Sequence, residues 1–440
     1  MKSTKNEAQI QATAFLGALV VIAALMVGAY ISTRLFPCDG ISLGRWLLSP
    51  FLVLTVEGNV TLIGVIVFLL IIGGVFNTLE HSGMLVYLLN RIAHRFAASR
   101  YRLMAAIMLF FMALGSLIGS FEEVVPMVPL VVALALRLGW DRITGVAMSL
   151  LSVGCGFAAG VFNPFTVGIA QQMAGLPVFS GWLFRAVGFC FIYALLFFFT
   201  RFHAQRIDQG VSLDEGESFT KDAQKDKAVR LFGGILAVGI LLVMSSALLP
   251  FLRDYTFIIV GLTFLLAGIV ACFVVGMAKA DFGKFFLKGA VSMLPAVLMI
   301  LMASSIKYTL EYAGLLTLLV NYALSLASGL PHWAVVLFIY LFVLFMNFFI
   351  ASGSAKAIML MPLLLPLAAS LNISPQLVIV AYAFGDGFSN SFYPTNPALL
   401  VALGLAETSY VDWARWTWKF QLLNLTLTSL LLLLGQAIGV

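Results

Sequence analysis

"GVFNPFTVGIAQQ" (residues 160–172) interrupts an apolar run with Asn163–Pro164, follows it with Thr166 and ends on Gln171–Gln172. A proline inside a helix removes one backbone donor and frees a carbonyl one turn earlier. In hydrocarbon, groups freed in this way must find partners within the protein. The stretch reads as a broken membrane helix whose gap is occupied by something polar.

The surrounding chain is oily enough for that reading. Of 440 residues, 62% are hydrophobic and 10% charged, outside the range of soluble domains. This is the composition of an all-α polytopic membrane protein. Runs near the ~20 apolar residues needed to cross a bilayer lie at 11–33, 60–79, 103–118, 143–170, 182–200, 231–250, 256–277, 289–306, 333–350, 376–403 and 420–439. Two shorter runs, 124–138 and 357–371, read as members of re-entrant pairs. The amino end "MKSTKNEAQ" precedes an apolar stretch too long for a cleaved signal, so a retained first helix is expected, with Lys2 and Lys5 cytoplasmic. Cys38, Cys155, Cys190 and Cys272 have no metal-like or redox-like spacing. The net charge of +6 is scattered through short loops, which argues against nucleic acid as a partner. Residues 201–230 carry six bases and six acids and read as a cytoplasmic linker.

A repeat spans that linker. "TLEHSGMLVYLLN" (78–90) and "TLEYAGLLTLLVN" (309–321) share seven of thirteen residues at a shift of 231. "GSFEEVVPMVPL" (119–130) faces "GSAKAIMLMPLLLP" (353–366), and Asn163–Pro164 faces Asn396–Pro397. Duplicated halves with breaks in matching places point to the midplane site of a secondary transporter. The expected layout is an N-terminal transmembrane helix over 1–40, repeat 1 over 41–200 and repeat 2 over 231–440. Repeat 1 holds a hairpin near 119–138 and a broken helix near 142–172; repeat 2 holds their counterparts near 352–371 and 375–406. Inverting the halves by counting 79–97 as a crossing puts 201–230 inside but Arg91, Arg95, Arg100 and Arg102 outside, against charge bias. The fate of 79–97 stays open at this point.

Four polar clusters could carry chemistry. The breaks "FNPFT" and "SNSFYPTNP" offer Asn163, Thr166, Ser389, Asn390, Ser391, Thr395 and Asn396, with unwound carbonyls for a cation and half-helix N-termini for an anion. A proline kink satisfied by neighbouring helices is the plain alternative. The hairpin tips offer Ser120, Glu122 and Glu123 on one side and Ser352, Ser354 and Lys356 on the other. Charges in a span usually face a cavity, unless they pair with each other or lie at the interface. Asp386, in "AFGDGFSN", is a candidate cation, proton or amine site, and Ser152 stands opposite it in the first half. Glu80 and Glu311 recur in "TLExxG", where a structural role at helix ends competes with substrate contact. The histidines sit near span ends, and no catalytic motif points to an enzyme.

"GFAAGVFNPFTVGIAQQMAGLPVFSG" (156–181), the "GSFEE" hairpin and "AYAFGDGFSNSFYPTNPALL" (381–400) together resemble the YfcC-type branch of the anaerobic C4-dicarboxylate carriers. The p-aminobenzoyl-glutamate transporters are more distant relatives in the same ion-transporter superfamily. The resemblance implies two inverted-topology repeats forming a scaffold and an elevator-type transport domain in a homodimer. It places the superfamily's signatures on Asn163 and Thr166 in one half and on Thr395 and Asn396 in the other, and this chain departs from their strict sodium-linked form. The expectation is a multi-pass protein of the bacterial inner membrane, in contact with membrane lipid. It carries a small carboxylated solute, an amino acid or zwitterion ahead of a dicarboxylate, with no cofactor beyond a coupling sodium ion or proton. Asn163, Asp386, Asn396 and Glu122 are the candidate ligands of that ion, and no other metal is expected. A sodium/proton antiporter, a membrane-embedded enzyme acting on a lipid-linked substrate and a channel are the competing readings.

Overall fold

Proline is tolerated in the first turn of a helix, where its missing N–H would have no partner anyway. Pro164 and Pro397 both take that position, each behind an asparagine in extended conformation, so each break is a helix stop followed by a fresh start. The computed structural model describes residues 2–56, 60–119, 121–209, 221–245, 256–327 and 329–440.

The first half runs α1 (Lys2–Leu35), α2 (Leu43–Leu52), α3 (Val60–His81), α4 (Met84–Phe96), α5 (Arg100–Ile118), α6 (Val128–Arg137), α7 (Arg142–Val146), α8 (Ser152–Ala159), α9 (Ile169–Met173) and α10 (Trp182–Arg206). A π turn over Ala147–Leu151 joins α7 to α8, and another over Pro164–Gly168 leads into α9. The second half runs α11 (Ala223–Ser245), α12 (Thr256–Val274), α13 (Lys279–Ser292), α14 (Leu294–Tyr312), α15 (Leu315–Ala327), α16 (His332–Asn347), α17 (Gly353–Ser370), α18 (Pro375–Gly387), α19 (Pro397–Leu405) and α20 (Tyr410–Ile438). No strand occurs among the described residues.

Seven stretches among the described residues are long and apolar enough to cross a membrane: Leu62–His81, Arg100–Leu117, Arg142–Met173, Trp182–Arg206, Lys279–Tyr312, Gly353–Ser370 and Tyr410–Ile438. The chain is a multi-pass membrane protein. The apolar run at 357–371 is part of α17, whose 18 residues reach crossing length, contrary to the sequence expectation. Gly119 caps the end of α5, and Gly353–Ser354 open α17 just after the turn from α16.

The open question over 79–97 is settled by length and by charge. At 1.5 Å per residue the 13 residues of α4 span about 20 Å, short of the roughly 30 Å hydrocarbon core. Arg91 pairs with Asp226 at 2.6 Å, and Tyr87 donates to the same carboxylate at 2.7 Å. Arg100 pairs with Asp208 at 2.5 Å, and the Gln209 N–H donates to Gly139 O at 3.1 Å. These contacts gather α4, the start of α5, the end of α6 and the flanks of the linker at one end of the molecule. Arg91 and Arg100 therefore lie on the same side as the linker, as charge bias favours.

The two broken helices cross at the centre. Gly387 ends α18 directly against the backbone of Ala158 in α8, where a side chain would collide with main-chain atoms. Removing Cβ lets the two chains approach at the level of both breaks. α10 and α20 then pack side by side, with Phe199 over Trp416 (ring centroids 5.0 Å apart) and Phe184 against Gly435. Glu80 and Glu311 lie near the ends of α3 and α14 and both are exposed; Glu311 stands 3.7 Å from Lys307 one turn earlier.

Candidate functional site

The first break needs partners for the carbonyls that α8 leaves behind, and Arg185 supplies them. Buried in the first turn of α10, its guanidinium donates to Gly160 O (3.0 Å), Val161 O (3.1 Å), Ser180 O (2.8 Å) and Phe179 O (3.2 Å). The fork of five donors fits a cluster of carbonyls as a lysine would not. At the second break the same work is done from α20. Trp413 donates its indole N–H to Ser391 O (2.8 Å), Tyr410 donates to Phe392 O (3.0 Å) and Gln421 to Phe388 O (3.2 Å). Arg185 and Trp413 each hold the fourth position of their helix.

The asparagines close the other side of each break. Asn163 Oδ1 accepts from the N–H groups of Phe165 (2.9 Å) and Thr166 (3.3 Å), and Asn396 Oδ1 accepts from those of Ala398 (2.9 Å) and Leu399 (3.4 Å). This is N-capping of the resumed half-helices. Beyond the first break, Gln171 accepts from Phe179 N at 2.5 Å and reaches Ser180 and Gln376, clasping the loop to the start of α18. Gln172 is exposed.

The hairpin tip at 350–353 carries the charged part of the site to the crossing. Lys356, in the first turn of α17, places its ammonium 2.5 Å from Asp386 Oδ1, and neither side chain has any exposed surface. The ammonium also donates to Ile350 O at 3.0 Å and to Asn347 Oδ1. Asn347 Nδ2 lies within 2.7–2.8 Å of Asp386 O, Ser389 Oγ and Asn390 Oδ1, tying α16 to the second break. Tyr382 donates to Gly353 O. Gly353 leaves room where it matters: a Cβ there would stand 2.5 Å from Asp386 Oδ2 and 2.7 Å from the Thr166 methyl. One tip thus touches both breaks.

Neither charge suits its own helix end. A cation in the first turn of α17 and an anion in the last turn of α18 both oppose the helix dipole. Taking them out of water costs several kcal/mol per ion, and their mutual attraction is what offsets it. At the breaks and on Asp386, four buried oxygens have no hydrogen-bond partner among the described residues: Thr166 Oγ1, Ser391 Oγ, Thr395 Oγ1 and Asp386 Oδ2. Most buried polar atoms in proteins are paired, so each of these asks for a partner. The set can offer hydroxyl and carboxylate oxygens to a ligand entering between tip and breaks.

The sequence candidates divide as follows. Thr166, Lys356, Asp386, Asn390 and Thr395 lie buried at the crossing, while Asn163 and Asn396 cap the half-helices beside it. Ser352 is exposed and caps α17 by accepting from Ala355 N at 3.4 Å; Ser354 is half-buried. Ser120 and the side chains of Glu122 and Glu123 lie outside the described residues. Ser152, opposite Asp386 in the first half, turns back to Ala147 O at 2.9 Å. Arg185 and Asn347 were not candidates, although a lone Arg or Asn in an apolar run is itself a signal. His203, at the end of α10, is half-buried and meets Asp141 Oδ2 at 3.0 Å.

The chain is similar to several known proteins. YfcC of Escherichia coli (strain K12), whose assignment as a basic amino acid antiporter is provisional, is 29% identical over 375 residues, 81% of this chain and 74% of its own. An uncharacterized protein of Haemophilus influenzae is 24% identical over 375 residues, covering 82% and 73% of the two chains. Among solved structures, the Alcanivorax borkumensis YdaH transporter is 18% identical with a TM-score of 0.47, covering 96% of this chain and 99% of its own. Neisseria gonorrhoeae MtrF, described with a class of antimetabolite efflux pumps, is 17% identical at the same TM-score, covering 96% and 95%. Residues 10–437 match the C4-dicarboxylate anaerobic carrier family, DcuC, and the chain is a member of that family of membrane transporters.

Proposed function

We propose that this protein is a secondary active carrier of a small carboxylated solute, an amino acid or peptide-like zwitterion ahead of a C4-dicarboxylate. The observation that carries the reading is the meeting of both helix breaks with one hairpin tip around Lys356 and Asp386. The orphaned oxygens of Thr166, Ser391 and Thr395 at the two breaks are ready donors and acceptors for such a solute. An ammonium suits Asp386 and a carboxylate suits Lys356. The provisional assignment of YfcC to basic amino acids supports the amine side of this reading.

In this mechanism the two halves are inverted repeats, and the tips and broken helices move as a body against a scaffold that includes α3 and α14. The solute binds between the tip and the breaks, and the loaded body then opens to the other face. The inversion is supported by the recurrence of the "TLExxG" end, the "GS" motif and the Asn-Pro break in the same order in both halves. The charge on the linker side supports a cytoplasmic N-terminus in a bacterial inner membrane, and the elevator reading goes with a homodimer.

Counterflow in proteoliposomes tests it. Vesicles loaded with pooled unlabelled amino acids, or with pooled dicarboxylates, are given the matching labelled pool. Uptake driven by the amino acid pool alone is the expected result; uptake driven only by dicarboxylates reverses the substrate class. No uptake from either pool, by protein shown to be folded, turns the reading to cation antiport.

A further inference from the structure

Unwound carbonyls and a buried carboxylate at a helix break are what a bound cation needs. In this chain both places are already taken by the protein's own cations. At the first break the Arg185 guanidinium lies on the carbonyls of Gly160 and Val161 and reaches two more beyond them. At the second, the Lys356 ammonium lies on Asp386, on Ile350 O and on Asn347 Oδ1. Both side chains are fully buried.

We propose that these two tethered cations replace coupling sodium, so that the carrier works without sodium, and that the mobile charge at the site is the proton of Lys356. The inference rests on the carrier reading above and deepens it. When a solute brings an ammonium group to Asp386, the Asp386 carboxylate exchanges its Lys356 contact for the incoming N–H donors. Lys356, now beside a like charge in a dry site, releases one proton to the open face and remains as a neutral amine. One ammonium enters and one proton leaves, so the summed charge held in the site stays the same. Arg185 takes no part in this exchange. Its four carbonyl contacts are static, and a guanidinium does not give up its proton.

The asymmetry between the two breaks supports the division of roles. Arg185 faces carbonyls only, whereas Lys356 faces a carboxylate whose second oxygen has no hydrogen-bond partner among the described residues. The other titratable groups on the packed elements are engaged elsewhere. Tyr382 of α18 donates to Gly353 O, and Tyr340 of α16 shares a 2.8 Å hydrogen bond with Thr428 of α20. Thr166, from the first break, is not titratable. Among the described residues, Asp386 is the carboxylate that Lys356 meets.

Radioactive sodium binding to the purified full-length protein tests the inference without any knowledge of the solute. Wild-type protein should bind no more sodium than the Asp386→Asn variant. Lys356→Met, which empties the tethered position and keeps Asp386, should gain one saturable sodium site, and Lys356→Met/Asp386→Asn should lose it again. Sodium binding by the wild type that Asp386→Asn removes would overturn the inference, as would a monodisperse Lys356→Met protein that binds none. Where Lys356→Met is not monodisperse, the wild-type comparison decides alone. In proteoliposomes, counterflow of the amino acid pool should survive complete replacement of sodium by N-methylglucamine, and net uptake into unloaded vesicles should alkalinise the lumen. Uptake that collapses without sodium refutes sodium independence and leaves the carrier reading standing. Absent uptake in both media faults the carrier reading instead.

Discussion

Lys356 and Asp386, thirty residues apart in the chain, meet at 2.5 Å with no exposed surface on either side chain, at the point where one hairpin tip touches both helix breaks. Removing one member leaves a buried charge without its counter-ion, at a cost of about 3–5 kcal/mol. Lys356→Met and Asp386→Asn should each lower the melting midpoint in detergent, and the double variant should recover much of the loss. Additive losses in that cycle would show that the two groups are not coupled.

Arg185 is a support of the first break. Arg185→Met orphans the carbonyls of Gly160, Val161, Phe179 and Ser180 at once, and with about 1–3 kcal/mol per unsatisfied buried group the protein should fail to stay folded in mild detergent. Lysine at this position cannot reach the same set with a point charge, so Arg185→Lys should rescue only in part. Monodispersity by size-exclusion chromatography reads both variants.

The unpartnered hydroxyls of Thr166 and Ser391 separate ligand contact from structural support. Thr166→Val and Ser391→Ala remove buried groups that form no hydrogen bond among the described residues, so stability should hold or rise by up to about 1 kcal/mol. Counterflow should fall at least tenfold if the hydroxyls contact the solute. Unchanged uptake in both would take them out of the site.

Gly353→Ala drives a methyl to 2.5 Å from Asp386 Oδ2, and overpacking of this kind costs about 1–3 kcal/mol. Gly404 lies inside α19, and a Cβ there would meet nothing within 4 Å, so Gly404→Ala should be neutral or slightly stabilising through helix propensity. Uptake should be lost in the first variant and kept in the second. Equal behaviour would mean that the tip is not closely packed on the break.

Asp141 caps α7 outside the crossing segment. Burial pushes its carboxyl up, but hydrogen bonds from His203 and from Thr144 outweigh that and hold it below the ordinary carboxylate range. The folded form therefore prefers the ionised group. The resulting stability is present above the unfolded pKa of about 3.9 and is lost as pH falls through the lower folded value. His203→Ala should move the acid melting transition to higher pH, and an unmoved transition would show that the contact carries no weight.

Much of the architecture can be read from local chemistry. A proline without its N–H, an asparagine able to cap the next turn and a charge in an apolar run mean the same thing wherever they occur. Asn163–Pro164, Asn396–Pro397, Lys356 and Asp386 therefore stand out from the sequence alone, and so does membership of the carrier family. Charge bias was informative too: it spoke against 79–97 as a crossing, which a count of crossings alone left open.

What the tertiary structure decided is which of these groups meet. Lys356 could have faced Glu122, Asp386 or water; only the convergence of α16, α17 and α18 brings it to Asp386 and Asn347. Arg185 and Asn347 each show as a polar residue at the end of an apolar run, and their importance comes from carbonyls and amides supplied by other segments. A sequence states each group's need for a partner, because desolvation penalises any polar atom placed in hydrocarbon. The partner itself is set by packing, which brings distant segments within about 3 Å of one another.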